Sequence, residues 1–336
     1  MTRPTPTPDR AVLAQGLQRR FNGTTAVDDL DLEVAGGEIY GFLGPNGAGK
    51  STTVRMLVTL LAPTGGRVVV AGHDVAADPG AVRLRIGAAL QDVALDPKQT
   101  GAELLRLQGR LYGLTGRAVD RRVEQLGELI ELGDALHRRV ETYSGGMRRR
   151  LDLAAALVHN PEILFLDEPT TGLDPVSRAR VWAEVRRLNR ELGMTIFLTT
   201  QYLEEADELA HRVGIIDRGR MVAEGTPAEL KRSVGSDVIV ARVDGDAAAV
   251  APSLRGIHGV RDVEVHGNEL VVATDDGPST ISPVAVALST RHVAVRDLTL
   301  RTPTLDDVFL DLTGNRIEPG ERNETNPNDE VLEEAS

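Results

Sequence analysis

The chain has 336 residues, 41% of them hydrophobic, enough to bury a sizeable core and to form about two domains. It contains no cysteine, which excludes a disulfide framework, thiolate catalysis and Cys-based metal sites and fits a reducing compartment. The net charge of −12 argues against nucleic acid as a partner, and no apolar run approaches the roughly 20 residues that span a bilayer.

The opening MTRPTPTPDR lacks the apolar stretch of a leader, so a soluble, unexported chain with a flexible segment over 1–9 is expected. Within 10–35, AVLAQGL and AVDDLDLEV alternate partially between apolar and polar residues, which predicts two antiparallel strands. EIYGFLG reads as a buried strand, followed by a Gly-rich turn and a helix over Lys50–Leu61. GRVVVAG and RIGAALQ are further strands, the second closing on Gln91. From about Asp92 to Asn160 Leu recurs at i, i+3 and i+4, as in GAELLRLQGRLYGL, which predicts an all-helical insertion. Strand character returns at EILFLD (162–167), then come a helix over 175–191, a strand over 194–200, a helix over 202–211 and the hairpin VGIIDRGRMVAEG. The result is a parallel-sheet α/β domain over 10–233 with an antiparallel β portion and a helical insertion.

A second unit is expected over 236–314. DVIVARV, DVEVHGNELVVAT and HVAVRDLTL alternate with helical stretches near 246–255 and 278–289. The order β-α-β-β-α-β predicts a small α+β, ferredoxin-like domain, and it carries no catalytic constellation. The tail over 315–336 holds seven acids and two arginines, a net of −5, leaving −7 for the rest, and reads as disordered and solvated.

Two segments carry chemistry. In GFLGPNGAGKST, Gly44-x-x-x-x-Gly49-Lys50-Ser51 is a phosphate-binding loop set between a strand and a helix. Its glycines let successive backbone N–H groups turn toward phosphate oxygens, and the helix N-terminus adds a favourable dipole. Lys50 is placed to reach the β- and γ-phosphates, and Ser51 to offer a hydroxyl to Mg²⁺. Lysine is scarce here, three of 38 basic residues, so one at this position is not casual. In ILFLDE (163–168) four apolar residues lead to Asp167 and Glu168 at the carboxyl end of a strand, where parallel sheets bind ligands. Asp167 would hold Mg²⁺ through water, and Glu168 would orient or deprotonate an attacking water. A solvated turn is the plain alternative for an Asp-Glu pair, and an N-cap is the plain alternative for the Ser-Gly-Gly of YSGGMRRRLDLAAAL. No guanine-reading Asn-Lys-x-Asp exists, which speaks against a Ras-type GTPase.

Taken in order, the phosphate loop, Gln91, SGGM, LFLDEPTTGLD and FLTTQYLEEAD resemble the ATP-binding subunit of an ABC transporter over residues 10–230, a P-loop NTPase of the ABC type. Within that superfamily TLDDVFLDLTG (304–314) and the signature region resemble the drug-export branch typified by daunorubicin/doxorubicin resistance ATPases. The resemblance implies ATP and Mg²⁺ as ligands. It implies that Gly44, Pro45, Asn46, Gly47, Ala48, Gly49, Lys50, Ser51 and Thr52 hold the triphosphate, that Phe21 stacks on adenine, and that Gln91 senses Mg²⁺ and faces a membrane partner. It further implies that Ser144, Gly145 and Gly146 contact the γ-phosphate held by a second copy, and that Asp174 communicates across that dimer. A separate membrane permease and a peripheral place on the cytoplasmic face of the membrane follow from the same resemblance.

Three positions depart from the common pattern. Tyr143 and Met147 replace Leu and Gln beside the signature glycines, and Gln201 stands where most such ATPases carry histidine. An amide there can donate to a phosphate oxygen but carries no proton or charge. Met147 and Gln201 leave a hydrolysis-impaired regulatory subunit as an alternative, which intact Lys50, Asp167 and Glu168 oppose; a soluble ABC ATPase is a further one, although a second ATPase domain or a long coiled coil is not seen.

Overall fold

A computed structural model describes residues 10–91, 95–245, 247–291 and 293–314. The expected flexible N-terminus (1–9) and acidic tail (315–336) lie outside the described residues.

Strands β1 (Arg10–Phe21) and β2 (Thr24–Ala35) form the anticipated antiparallel pair, in register from Arg10↔Ala35 to Phe21↔Thr24. Strand β3 (Ile39–Leu43) is buried along its whole length and leads through the Gly-rich loop into helix α1 (Lys50–Leu57). This helix stops at Leu57 rather than Leu61. Thr59 takes a left-handed φ of 66°, and the Leu60 and Leu61 amides fold back onto the Arg55 carbonyl at 2.8 and 3.0 Å. Strands β4 (Gly65–Val70) and β5 (His73–Asp74) complete a four-stranded sheet in the order β2-β1-β4-β5. Helix α2 (Pro79–Arg85) is unanticipated, although its signal is present: Asp78 accepts from the Ala81 amide at 3.1 Å, and proline occupies the first turn. Strand β6 covers Ile86–Ala89, so Gln91 lies past its end in an exposed bend, a correction to the expected strand.

The helical insertion is built from α3 (Gly101–Leu111), α4 (Arg117–Leu129) and α5 (Gly145–Ala156), with Thr100 and Glu103 forming a capping box at the first. The chain then alternates through β7 (Ile163–Asp167), α6 (Pro175–Leu192), β8 (Thr195–Thr200), α7 (Leu203–Leu209), β9 (Arg212–Asp217) and β10 (Arg220–Gly225). The central sheet runs β10-β9-β3-β8-β7-β6, and the pairings from β9 to β6 are all parallel. Tyr40, Phe197 and Phe165 sit at one register level on neighbouring strands. Phe197 lies 5.6 Å from the rings of Tyr40, Phe42 and Phe165, an aromatic layer that fixes β3, β8 and β7 side by side.

The chain divides into two compact units between Glu224 and Gly225, ahead of the 233–236 boundary read from the sequence. The second unit takes in helix α8 (Pro227–Val234), followed by β11 (Asp237–Asp244), α9 (Ala247–Arg255), β12 (Val260–His266), β13 (Glu269–Thr274), α10 (Gly277–Thr290), β14 (Ala294–Arg301) and α11 (Leu305–Thr313). Its sheet runs β12-β13-β11-β14 and is antiparallel throughout, the strand order of a ferredoxin-like sandwich. Ile239, Val250, Leu254, Leu270, Val272 and Leu288 form its own core.

Candidate nucleotide site

The loop between β3 and α1 is held so tightly that two of its glycines, Gly44 and Gly49, have no room for a side chain. A Cβ on Gly44 would lie 2.4 Å from the Ile216 carbonyl oxygen. One on Gly49, whose φ is 106°, would lie 2.6 Å from that of Ala26. Gly219 donates its amide to the Ala48 carbonyl and accepts from Asp28 through its own, each at 2.9 Å, so the β9–β10 turn ties the loop to β2. Lys50 opens α1 with its side chain 4% exposed; Nζ donates to the Gly44 and Pro45 carbonyls at 2.8 and 3.1 Å and faces Glu168 Oε1 at 3.3 Å. Burial pulls the Lys50 pKa down, while the Glu168 and Asp167 carboxylates pull it up.

Register brings the acidic pair to the same edge. Asp167 ends β7 opposite Thr199, and Leu43 ends β3 opposite Thr200. Ser51 Oγ lies 3.4 Å from Asp167 Oδ1, and Thr199 Oγ1 donates to that same oxygen while accepting from the Glu168 amide at 3.0 Å. Glu168 itself has a left-handed φ of 48°, an uncommon conformation for a residue with a side chain. Thr171 Oγ1 donates to Glu168 Oε2 at 3.2 Å, so one carboxylate oxygen faces Lys50 and the other is fixed by its own loop.

These groups fit a hard divalent cation that is shared with a phosphate. A hydroxyl and a carboxylate converge, and oxygen is the donor such ions take. No group of three or more His, Cys, Asp or Glu suited to a metal exists among the described residues.

The other expected residues are placed less uniformly. Gln201 follows β8 directly, between the strands that deliver Gly44 and Glu168. It is 5% exposed, and its side-chain amide makes no hydrogen bond among the described residues. Phe21 is half-buried at the end of β1, with the Arg19 guanidinium 4.3 Å above one face of its ring. Gln91 is exposed and makes no hydrogen bond to Ser51 or Asp167. Ser144 caps α5 by accepting from the Met147 amide at 3.3 Å, and it and Gly145 are exposed. Asp174 caps α6, accepting from Ser177 Oγ at 2.6 Å and from the Val176 and Ser177 amides at 3.0 Å, bonds that hold its carboxyl below the usual range. Of the departures, Tyr143 is 4% exposed and donates to the Ala135 carbonyl at 2.6 Å, and Met147 packs against the core of the insertion.

Three residues that the sequence reading passed over complete the edge. Thr199 bonds both acids of the pair. Glu205, fully buried on α7, accepts from Thr170 Oγ1 and Trp182 Nε1 at 2.9 Å each, and burial raises its pKa against those bonds. Arg149 on α5 is 7% exposed and reaches the backbone beside Asp167. Its signal was legible: Arg149, Leu153 and Ala156 share the buried face of α5 at helical spacing, a charge where an apolar residue belongs.

Comparison with known proteins fits this geometry. The profile described as ABC transporter matches residues 27–171, and that of the ATP-binding protein DrrA1-3-like C-terminal domain matches 225–313. The daunorubicin/doxorubicin resistance ATP-binding protein DrrA of Streptomyces peucetius is 49% identical, across 92% of this chain and 94% of its own. The chain belongs to the ABC transporter ATP-binding subunits. It is an ATP-hydrolysing subunit of the ABC type with a DrrA-like C-terminal domain. The ABC subunit is also similar to the linearmycin resistance ATP-binding protein LnrL of Bacillus subtilis, 36% identical over 90% of this chain and 98% of that one. Its first unit has the fold of cbiO1 from Clostridium perfringens, at a TM-score of 0.62 and 25% identity, covering 66% of this chain and 91% of that one.

Proposed function

We propose that two copies of this chain bind Mg-ATP between them and drive a separate membrane permease that exports an antibiotic or a similar small amphipathic molecule. Gly44 to Thr52 hold the triphosphate, with Lys50 as its charged anchor. Ser51 and Asp167 hold Mg²⁺, with Gln91 approaching from the permease side. Glu168 acts on the attacking water, and Gln201 donates to the γ-phosphate as it is transferred. Phe21 takes adenine on the face that Arg19 leaves open. Ser144, Gly145 and Gly146 cap the nucleotide of the second copy, and Asp174 carries the contact between the copies. The subunit sits on the cytoplasmic face of the membrane through its permease; no helix of the described residues is long and apolar enough to cross a bilayer.

The carrying observation is a division of the machinery. Lys50, Ser51, Asp167 and Glu168 meet at one sheet edge, whereas Ser144 and Gly145 stand exposed at a helix N-terminus suited to an anion. The export reading is supported by relatives named for daunorubicin, doxorubicin and linearmycin resistance and for Nod factor export. The test is steady-state ATPase of the chain alone and in vesicles with a multi-span permease, sought first in the neighbouring gene. Turnover should rise about 10-fold on association, since the permease brings the two copies together. A chain that neither binds that protein nor changes rate in its presence contradicts the proposal.

A further inference from the structure

The buried Arg149 uses all five of its N–H donors. Nε donates to the Pro169 carbonyl at 3.1 Å, Nη1 to the Leu90 carbonyl at 2.8 Å and to Asp152 Oδ2 at 3.0 Å, and Nη2 to the carbonyls of Asp167 at 3.0 Å and Ala89 at 3.5 Å. The parallel ladder between β6 and β7 runs from Ile86↔Ile163 only to Ala89↔Leu166. Beyond that pair the two chains part, and the guanidinium replaces the ladder as the link between them. Four carbonyls from two segments meet one planar fork, a geometry that lysine, with three donors and no plane, cannot reproduce.

The two segments are those from which the proposed metal groups extend. Asp167 supplies the carboxylate 3.4 Å from Ser51, and Gln91 follows Leu90 directly. Arg149 also lies on the helix that Ser144 and Gly145 open, one and a half turns in, so one side chain joins the signature helix to both segments. Asp152, one turn further along and itself largely buried, pairs with it at 3.0 Å and holds the fork in its plane.

We propose that Arg149 is a positioning residue that sets the site's affinity for the divalent cation, by holding the Asp167 and Leu90–Gln91 backbones to the signature helix. This rests on the assignment of Asp167 and Gln91 to Mg²⁺, and the controls keep the two ideas apart. The variants are Arg149→Lys, which keeps the charge, and Arg149→Gln with Asp152→Asn, which leaves no unpaired buried charge. The readouts are Mn²⁺ binding by electron paramagnetic resonance with a non-hydrolysable ATP analogue, ATP binding in EDTA, and deuterium exchange of the metal-free protein over 86–91 and 163–171.

Both variants should bind Mn²⁺ about 10-fold or more weakly, in the range that loss of a supporting residue behind a metal ligand produces. ATP binding in EDTA should stay within about two-fold of wild type, and exchange should accelerate in the two segments but not over 237–244. If the double variant does not fold, Arg149→Lys alone carries the test. Mn²⁺ affinity within about two-fold of wild type overturns the proposal, and so does an equal loss of metal-free ATP binding, which would make Arg149 a general structural residue. Asp167→Asn is the control: unchanged Mn²⁺ binding there would remove the metal assignment itself, independently of Arg149.

Discussion

Lys50 is paired with Glu168, and that pairing has a measurable consequence. The two charges lie 3.3 Å apart with side chains 4% and 6% exposed. At an effective dielectric near 20 such a pair attracts by about 5 kcal/mol. Desolvation of two buried ions cancels most of this, so the net pairing is worth about 1–2 kcal/mol. An incoming γ-phosphate must draw Lys50 away and place its own negative charge beside the Glu168 carboxylate. Glu168→Gln keeps the shape and removes both obstacles. ATP should therefore bind about 5–30-fold more tightly to the variant, the equivalent of 1–2 kcal/mol. Turnover should fall about 100-fold or more, because the attacking water loses its carboxylate. The assay is equilibrium titration with a fluorescent ATP analogue in EDTA, beside phosphate release in Mg²⁺. Equal or weaker binding by the variant would refute the competition, and wild-type turnover would remove Glu168 from its role.

Gln201→Ala should lower kcat about 10-fold or more while leaving ATP binding nearly unchanged, since it deletes a donor aimed at the transferring phosphoryl group. Gln201→His should keep substantial turnover and add a pH dependence below neutrality, near the ordinary histidine pKa of about 6.5; kcat–pH profiles decide both, and wild-type turnover in the alanine variant would make the amide a filler. Gly49→Ala puts a Cβ 2.6 Å from the Ala26 carbonyl at a φ of 106°. It should destabilise the fold by about 1–3 kcal/mol and abolish nucleotide binding, whereas an unchanged melting temperature would contradict the close approach. Burial pushes Asp152 up to about 6 against the pull of Arg149, in a cavity also lined by Arg83, Tyr112 and His159. A carboxyl whose folded pKa is raised stabilises when protonated, and that stability is lost as pH rises through about 6. Asp152→Asn should therefore gain on the wild type by about 2–3 kcal/mol between pH 4 and 7 in urea melts, and a constant difference across that range would refute it.

The candidate site was legible in the sequence wherever phosphate-loop chemistry calls for a fixed residue type at a fixed spacing. The loop from Gly44 to Ser51 and the strand ending in Asp167 and Glu168 are of this kind, and β3 and β7 do deliver them to one edge. Helix ends were less legible, because they depend on single backbone angles: α1 stops at Leu57 through the left-handed Thr59. Gln91 was read as strand because RIGAAL is apolar, yet the carbonyls of Ala89 and Leu90 are taken by Arg149 from another element. That competition is invisible to periodicity. Thr199 and Glu205 escaped for a related reason, since each matters through a partner distant in sequence, Asp167 and Trp182 respectively. The second unit is legible in the β-α-β-β-α-β order of its strands and helical stretches, and its sheet closes in the matching order on one core.

The central claim is that each nucleotide is held by the phosphate loop of one copy and by Ser144, Gly145 and Gly146 of the other. A mixed dimer of one Ser144→Arg chain and one Lys50→Ala chain tests it directly. With shared sites both lesions fall on the same composite site, and the other remains whole. The expected result is one tightly held ATP per dimer, with hydrolysis well above that of either homodimer variant. If each chain works alone, no intact site remains, and a mixed dimer that retains no ATP would contradict the account.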